Sequence, residues 1–308
     1  MTAPAEPAGV LVVDKPSGPT SHDVVDRVRQ ILRVRRVGHT GTLDPFATGV
    51  LPLCVGKATR LARFLADGEK EYLATVRLGL ATSTDDLHGE PLGPARPVAV
   101  DLGEVQEACR GLSGRILQLP PLFSAKRIRG ERSYQLARKG QAVERSPLPV
   151  TIQALEVTAV AGPVVQLRVR CSPGTYVRAL ARDLGEALGV GGHLTALRRT
   201  WSGGFGLEDA VGWEDLGAAW ERIRPLASLL TELPRVVVGS EGMAALRHGR
   251  DLGRRLVQEG FPDSAPGRVR VLDESGALLA LAIPKGFEPG LDRLGVEPVL
   301  HPDLVLLG

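Results

Sequence analysis

Asp44 is the acidic residue whose surroundings most call for an explanation. It sits in GHTGTLDPF, residues 38–46, a glycine-rich and otherwise apolar stretch with His39 five positions upstream. A carboxylate in such surroundings has to be hydrogen-bonded or charge-paired; left alone it would take up a proton. Held ionised, it could act as a nucleophile or a base. As a turn residue before Pro45 it needs no chemistry at all, since Asp-Pro commonly starts a turn.

Most other catalytic patterns are excluded by spacing. The segment from Gly49 to Gly56 and Lys57 superficially suggests a phosphate loop. Six residues separate its glycines where such a loop has four, and Ala58 stands where Ser or Thr would bind Mg²⁺. There is no GxSxG elbow, no HExxH helix and no GxGxxG after a strand. Cys54, Cys109 and Cys171 are far apart, form no CxxC pair and have no His at ligand spacing, so neither a zinc site nor a disulfide framework is expected. Their usage points to a reducing compartment, and any catalysis is expected to need no cofactor and no metal.

The elements that must hold Asp44 follow from hydrophobic periodicity. Residues 9–13, GVLVV, read as a buried strand that leaves through the turn Pro16-Ser17-Gly18-Pro19. Thr20 is a good N-cap with Asp23 three positions on, and Val24, Val25, Val28, Ile31 and Leu32 then share one helical face. Residues 38–56 are too broken for a helix and too apolar for an exposed linker, which predicts a buried, ordered loop. Residues 57–66 return to helical period, and Tyr72, Ala74, Val76 and Leu78 alternate as a strand. The polar stretch TSTDDLHGE predicts an exposed loop.

Further on, residues 101–112 read as a helix and residues 120–140 as a basic loop running into a short helix. Strands follow over residues 150–160 and Val165 to Cys171. A helix from Tyr176 to Leu188 puts Val177, Leu180, Ala181, Leu184 and Leu188 inward and Arg178 and Arg182 towards its polar side. Near residues 225–235 the character changes, and the hairpin RVRVLD, Glu274-Ser275-Gly276, ALLALAI marks a small β domain.

The 308 residues, 43% hydrophobic and 24% charged with net charge +3, suit a soluble main domain plus a small one. No stretch approaches the ~20 apolar residues of a membrane span. The start of the sequence lacks the basic and apolar regions of a signal peptide. A cytoplasmic protein is expected.

GHTGTLDPFATGVLPLCVGKATRL resembles the catalytic motif of the TruB family of tRNA pseudouridine synthases, which isomerise uridine 55 in the T loop of tRNA. GVLVVDKPSGPTSHDVV is similar to the family's N-terminal KP motif, EKEYLATVRLG to its tyrosine motif, and CSPGTYVRALARDLGEALGVGGHLTALRRTWSGGF to its Tyr/Arg and Leu-Arg-Arg motifs. The likeness covers roughly residues 9 to 206. It departs at Arg127 and Pro173, where relatives carry Lys.

The resemblance implies roles. Asp44 would be the essential carboxylate, acting by attack on C1′, by attack on C6 or by removing a sugar proton. Arg178 would pair with it and keep it ionised. Tyr72 would lie under the uracil and take part in removing the C5 proton. His39 would occupy the space left by the flipped nucleotide. Tyr176 and Leu197 would line the pocket, and Lys15 and Pro16 would support the Asp44 loop. Arg127, with Lys126, Arg129 and Arg132, and separately Arg33, Arg35 and Arg36, would meet RNA phosphates.

The fold implied is α+β: a pseudouridine synthase-like mixed, largely antiparallel sheet with flanking helices over residues 1–230, and a small PUA-like β-barrel RNA-binding domain over residues 231–308. The expected partner is the T stem-loop of tRNA. Neither a membrane nor an obligatory protein partner is expected, and the chain is expected to be a monomer. An RNA-binding, tRNA-folding chaperone that does not require catalysis is the alternative, and Asp44→Asn separates the two.

Overall fold

Strand β1 (Gly9–Lys15) shows no alternation because both of its faces are covered: Leu11 and Val13 enter one core, Val10 and Val12 another. The computed structural model describes residues 8–122, 127–128, 131–132, 145–265, 267–288 and 297–307. Helix α1 (Ser21–Leu32) begins with a capping box. The Thr20 hydroxyl accepts from the Asp23 amide, and the Asp23 carboxylate accepts from the Thr20 amide at 2.8 Å.

The segment expected as an irregular loop divides into β2 (Val37–His39), a turn, and β3 (Thr48–Val55). Only the turn is irregular. Strand β3 is buried on both faces, so it has no alternation to read, and Gly49 and Pro52 disguise it further. A 3-10 turn over Gly56–Leu61 leads into α2 (Ala62–Ala66), and β4 (Lys70–Leu78) alternates as its sequence predicts.

Helix α3 (Leu102–Gly111) and β5 (Gly114–Gln118) come next. Of the expected basic loop and short helix, only the backbone ribbon β6 (Arg127–Ile128) and β7 (Glu131–Arg132) is described; the remainder lies outside the described residues. Strands β8 (Leu148–Ala161) and β9 (Val164–Cys171) lead to α4 (Val177–Ala187) and β10 (Gly192–Ser202). Three two-residue strands, β11 (Phe205–Gly206), β12 (Val211–Gly212) and β13 (Arg224–Pro225), complete the first sheet.

Among the described residues this sheet runs β12-β1-β3-β10-β4-β9-β8-β5, with β2 on β3, β11 on β10 and β13 on β1. It is mixed and largely antiparallel, as expected. Its two halves meet where β3 and β10 run parallel, a seam of only two register pairs, Arg198 with Thr48 and Arg199 with Gly49. Gly49 has φ +103°, and a Cβ there would lie 2.1 Å from the Arg199 carbonyl oxygen.

Helices α1 and α4 cover one face through Val24, Val28, Leu180 and Leu184. On the other face, Val10, Val12, Val50 and Cys54 pack against Leu272, Leu278 and Leu281 of a second sheet. That sheet contains β14 (Arg235–Val238), β15 (Leu252–Gly253), β16 (Val269–Asp273), β17 (Leu278–Lys285) and β18 (Val299–Val305), in the order β14-β16-β17-β18-β15. Helix α5 (Ser240–Arg247) closes its own core through Ala245 and Leu246. At the junction, Asp303 accepts from Arg63 at 3.2 Å and Arg268 at 3.0 Å, and both guanidinium groups lie over the Phe64 ring. Among the described residues no helix is long and apolar enough to cross a membrane.

Candidate active site

Asp44 lies in the turn between β2 and β3, and the turn is fixed from below. The Lys15 ammonium, fully buried, donates to the carbonyls of Pro16 (2.9 Å), Pro45 (3.0 Å) and Ala47 (2.7 Å). Ser21, the first residue of α1, donates from its hydroxyl to the Leu43 carbonyl at 3.0 Å and accepts from the Leu43 amide at 2.9 Å. The backbone of Asp44 is therefore held on both sides.

Arg178, in the first turn of α4, meets the carboxylate with two nitrogens: Nε is 2.9 Å from Oδ2 and Nη2 is 3.2 Å from Oδ1. Its Nη1 donates to the Thr84 carbonyl at 3.1 Å and lies 3.5 Å from the Asp86 carboxylate. Although it falls on the polar side of the helical pattern, the Arg178 side chain is only 8% exposed. The loop from Thr82 to Glu90 folds over it.

That loop corrects a second expectation. Thr82, Asp85 and Asp86 of TSTDDLHGE are buried, because the carboxylates are met by arginines of α4. Arg182 holds Asp85 at 3.0 Å, Asp183 at 2.7 Å and the Leu119 carbonyl at 2.9 Å. Composition made the segment look solvated; ion pairs to a helix almost a hundred residues away bury it.

The carboxylate opens into a cavity of about 390 Å³ whose walls include Tyr72, Tyr176, Leu197 and Arg199. Tyr176 precedes α4, and its backbone is clamped by the Gln118 side chain at 2.8 and 3.1 Å. Arg199 is 1% exposed. It donates to the carbonyls of Val50 (2.7 Å) and Gly41 (3.1 Å) and is the register partner of Tyr72 across β10 and β4. Arg199 was not singled out from the sequence. The signal was the Leu-Arg-Arg run, in which one arginine on a strand must share the face of Leu197 or turn its back on it.

His39 ends β2 opposite Leu53, half-buried, and does not line the cavity. Arg127 contributes backbone to β6, and its side chain, with Lys126 and Arg129, lies outside the described residues. Arg33, Arg35 and Arg36 are exposed. Among the described residues no group of three His, Cys, Asp or Glu side chains could hold a metal ion.

Electrostatics divide the cavity. Burial raises the Asp44 carboxyl above its ordinary range, the Arg178 guanidinium pulls it back, and the Asp86 carboxylate adds to the rise. Burial also raises the Tyr72 phenol, keeping it protonated, against the opposing pull of Arg199. Lys15 and Lys70 are each pushed down to about 8, mainly by burial. The arrangement can hold an anionic carboxylate beside a flat apolar slot and keep a protonated phenol next to it.

A search among known proteins gives the class of molecule to which this arrangement belongs. Residues 29–177 match the family model described as TruB family pseudouridylate synthase, N-terminal domain, and residues 178–241 match the tRNA pseudouridylate synthase B C-terminal domain. The fold is that of a pseudouridylate synthase. Relatives called tRNA pseudouridine synthase B include that of Solibacter usitatus, 47% identical over 249 residues (79% of this chain, 85% of the relative). That of Mycobacteroides abscessus is 43% identical over 292 residues (93% and 95%). Among solved structures, a Cbf5-Nop10-Gar1 complex contains a chain similar to this one at a TM-score of 0.73 and 29% identity (97% of this chain, 85% of that one). An H/ACA RNP bound to a substrate RNA containing 2′-deoxyuridine gives 0.71 and 28% over the same shares. The chain belongs to the TruB family of pseudouridylate synthases.

Proposed function

We propose that this protein is a tRNA pseudouridine synthase that isomerises uridine 55 of the T loop, with Asp44 as the essential carboxylate. The observation that carries the reading is the two-nitrogen contact of Arg178 with Asp44 in the wall of a cavity of about 390 Å³. Breaking the C1′–N1 bond, turning the uracil and joining C5 to C1′ moves no electrons to or from an outside acceptor. It requires a carboxylate held ionised, a place for the ring to rotate, and a route for the C5 proton. Arg178 answers the first, the Tyr72–Leu197 slot the second, and the Tyr72 hydroxyl, in a cavity that Arg199 also lines, is suited to the third.

Roles for the remaining residues belong to the same reading. Lys15, with the Pro16 carbonyl, keeps the Asp44 turn in shape. Tyr176 and Leu197 border the base, and His39, outside the cavity, is available to the RNA that the target leaves behind. Residues 231–308 act as a small RNA-binding domain. The protein works in the cytoplasm as a monomer on bare tRNA, without a guide or protein partner.

Tritium release from tRNA transcript carrying [5-³H]uridine tests the proposal, because the C5 hydrogen must leave. Wild-type protein should release it stoichiometrically and Asp44→Ala not at all. Folded wild-type protein that binds tRNA without releasing tritium would refute the assignment.

A further inference from the structure

Lys70 is the first residue of β4, paired with Cys171 at the end of β9 and with Ser202 at the end of β10. β4 begins where β9 and β10 end, and Lys70 lines the cavity. Its side chain is 7% exposed. The ammonium donates to the carbonyls of Ala66 and of Gly68, the latter at 2.6 Å, and no carboxylate of the described residues is within ion-pairing distance. Ala66 and Asp67, in the turn that it ties down, line the cavity with it, and so do Ser172 to Thr175.

A buried cation with only carbonyl partners is an expensive feature. The charged groups facing it are Arg199 from β10, which repels it, and Asp67 in its own turn, which favours its charge; the buried Cys171 thiol from β9, pushed up to about 11, is neutral beside it. Arg178 has its charge answered by Asp44 and Asp86, whereas Lys70 has no such partner. With two protons given to carbonyls, an ammonium has a third to offer. In a cavity entered by a nucleotide, the anion that would come to rest against such a cation is the backbone phosphodiester.

We propose that Lys70 is a phosphate-binding residue of the substrate cavity, meeting the phosphodiester of the nucleotide that enters it. The proposal rests on the tRNA reading above. An ammonium that binds phosphate releases counterions from the RNA, so its loss should flatten the salt dependence of binding.

The test measures binding of an unmodified tRNA transcript by the full chain carrying Asp44→Asn, which prevents turnover, over a range of salt concentrations. Adding Lys70→Gln, which keeps N–H donors for the two carbonyls and removes the charge, should weaken binding several-fold. It should also lower the slope of log K against log salt by about 0.7–0.9, the share of one phosphate contact. Lys70→Arg, which restores the charge, should restore affinity and slope. An unchanged slope with Lys70→Gln in folded protein would overturn the proposal, and so would normal tRNA binding accompanied by lost turnover when Lys70→Gln is placed in protein that keeps Asp44. Failure of the Lys70-intact chain to bind, with no tritium released by wild type, would overturn the tRNA reading and the proposal together.

Discussion

Ser21 and Leu43 hold each other by a reciprocal pair of hydrogen bonds, the hydroxyl giving one to the Leu43 carbonyl at 3.0 Å and taking one from its amide at 2.9 Å. The start of α1 is thereby fastened to the residue before the carboxylate. Ser21→Ala leaves a buried amide and a buried carbonyl without that partner, at a cost of about 1–3 kcal/mol. Urea denaturation should show this loss. Because Asp44 would then wander, kcat should fall more than KM rises.

Arg178→Met removes the influence that lowers the Asp44 pKa and leaves burial and Asp86, both of which raise it. Activity requires the carboxylate, so it increases as pH rises through that pKa. The acid limb of the pH–rate profile should therefore move to higher pH in the variant. On that limb, below the pKa, a shift of one unit means a rate lower by about tenfold at a given pH. An unmoved limb with reduced rate would assign Arg178 to the substrate instead of to Asp44.

Arg182 keeps Asp85 and Asp183 ionised against burial that raises both. Arg182→Met breaks a largely buried pair on one side, which costs about 3–5 kcal/mol. The loop over Arg178 should loosen with it. Hydrogen exchange across residues 82–90 is the direct measurement, and faster exchange there than in β8 is expected.

Asp303 of β18 ties the second sheet to α2 through exposed Arg63 and pairs with exposed Arg268 of its own unit, and exposed pairs contribute about 0–1 kcal/mol. Asp303→Asn should change stability by no more than that, with the difference vanishing at high salt. The apolar contact of Val10, Val12 and Val50 with Leu272 and Leu281 carries the junction.

Much of the framework was legible before any coordinates. The Thr20–Asp23 box, the alternation of β4 and β9, the α4 stripe and the last hairpin are local patterns, and each is present. What escaped depends on distant partners. Strand β3 reads as a loop because burial on both faces removes periodicity. Asp85 and Asp86 read as solvated because Arg182 and Arg178 lie almost a hundred residues downstream, and Arg199 reads as surface charge until the Val50 and Gly41 carbonyls are seen around it. Around Asp44, the motif singled out Arg178, Tyr72 and Leu197, whereas Lys70 and Arg199 took a structure to find.

The narrow seam between β3 and β10 has a consequence for how the molecule comes into being. Arg199 reaches Val50 across 149 residues and Arg178 reaches Asp44 across 134. During synthesis the Asp44 turn leaves the ribosome long before either arginine, and contacts of such separation form late because the loop between them must first be closed. Closure of the seam is the step that creates the cavity. Competence to act thus coincides with completion of folding: a chain stopped short of α4 carries the carboxylate without the guanidinium groups of Arg178 and Arg199 that make it a site.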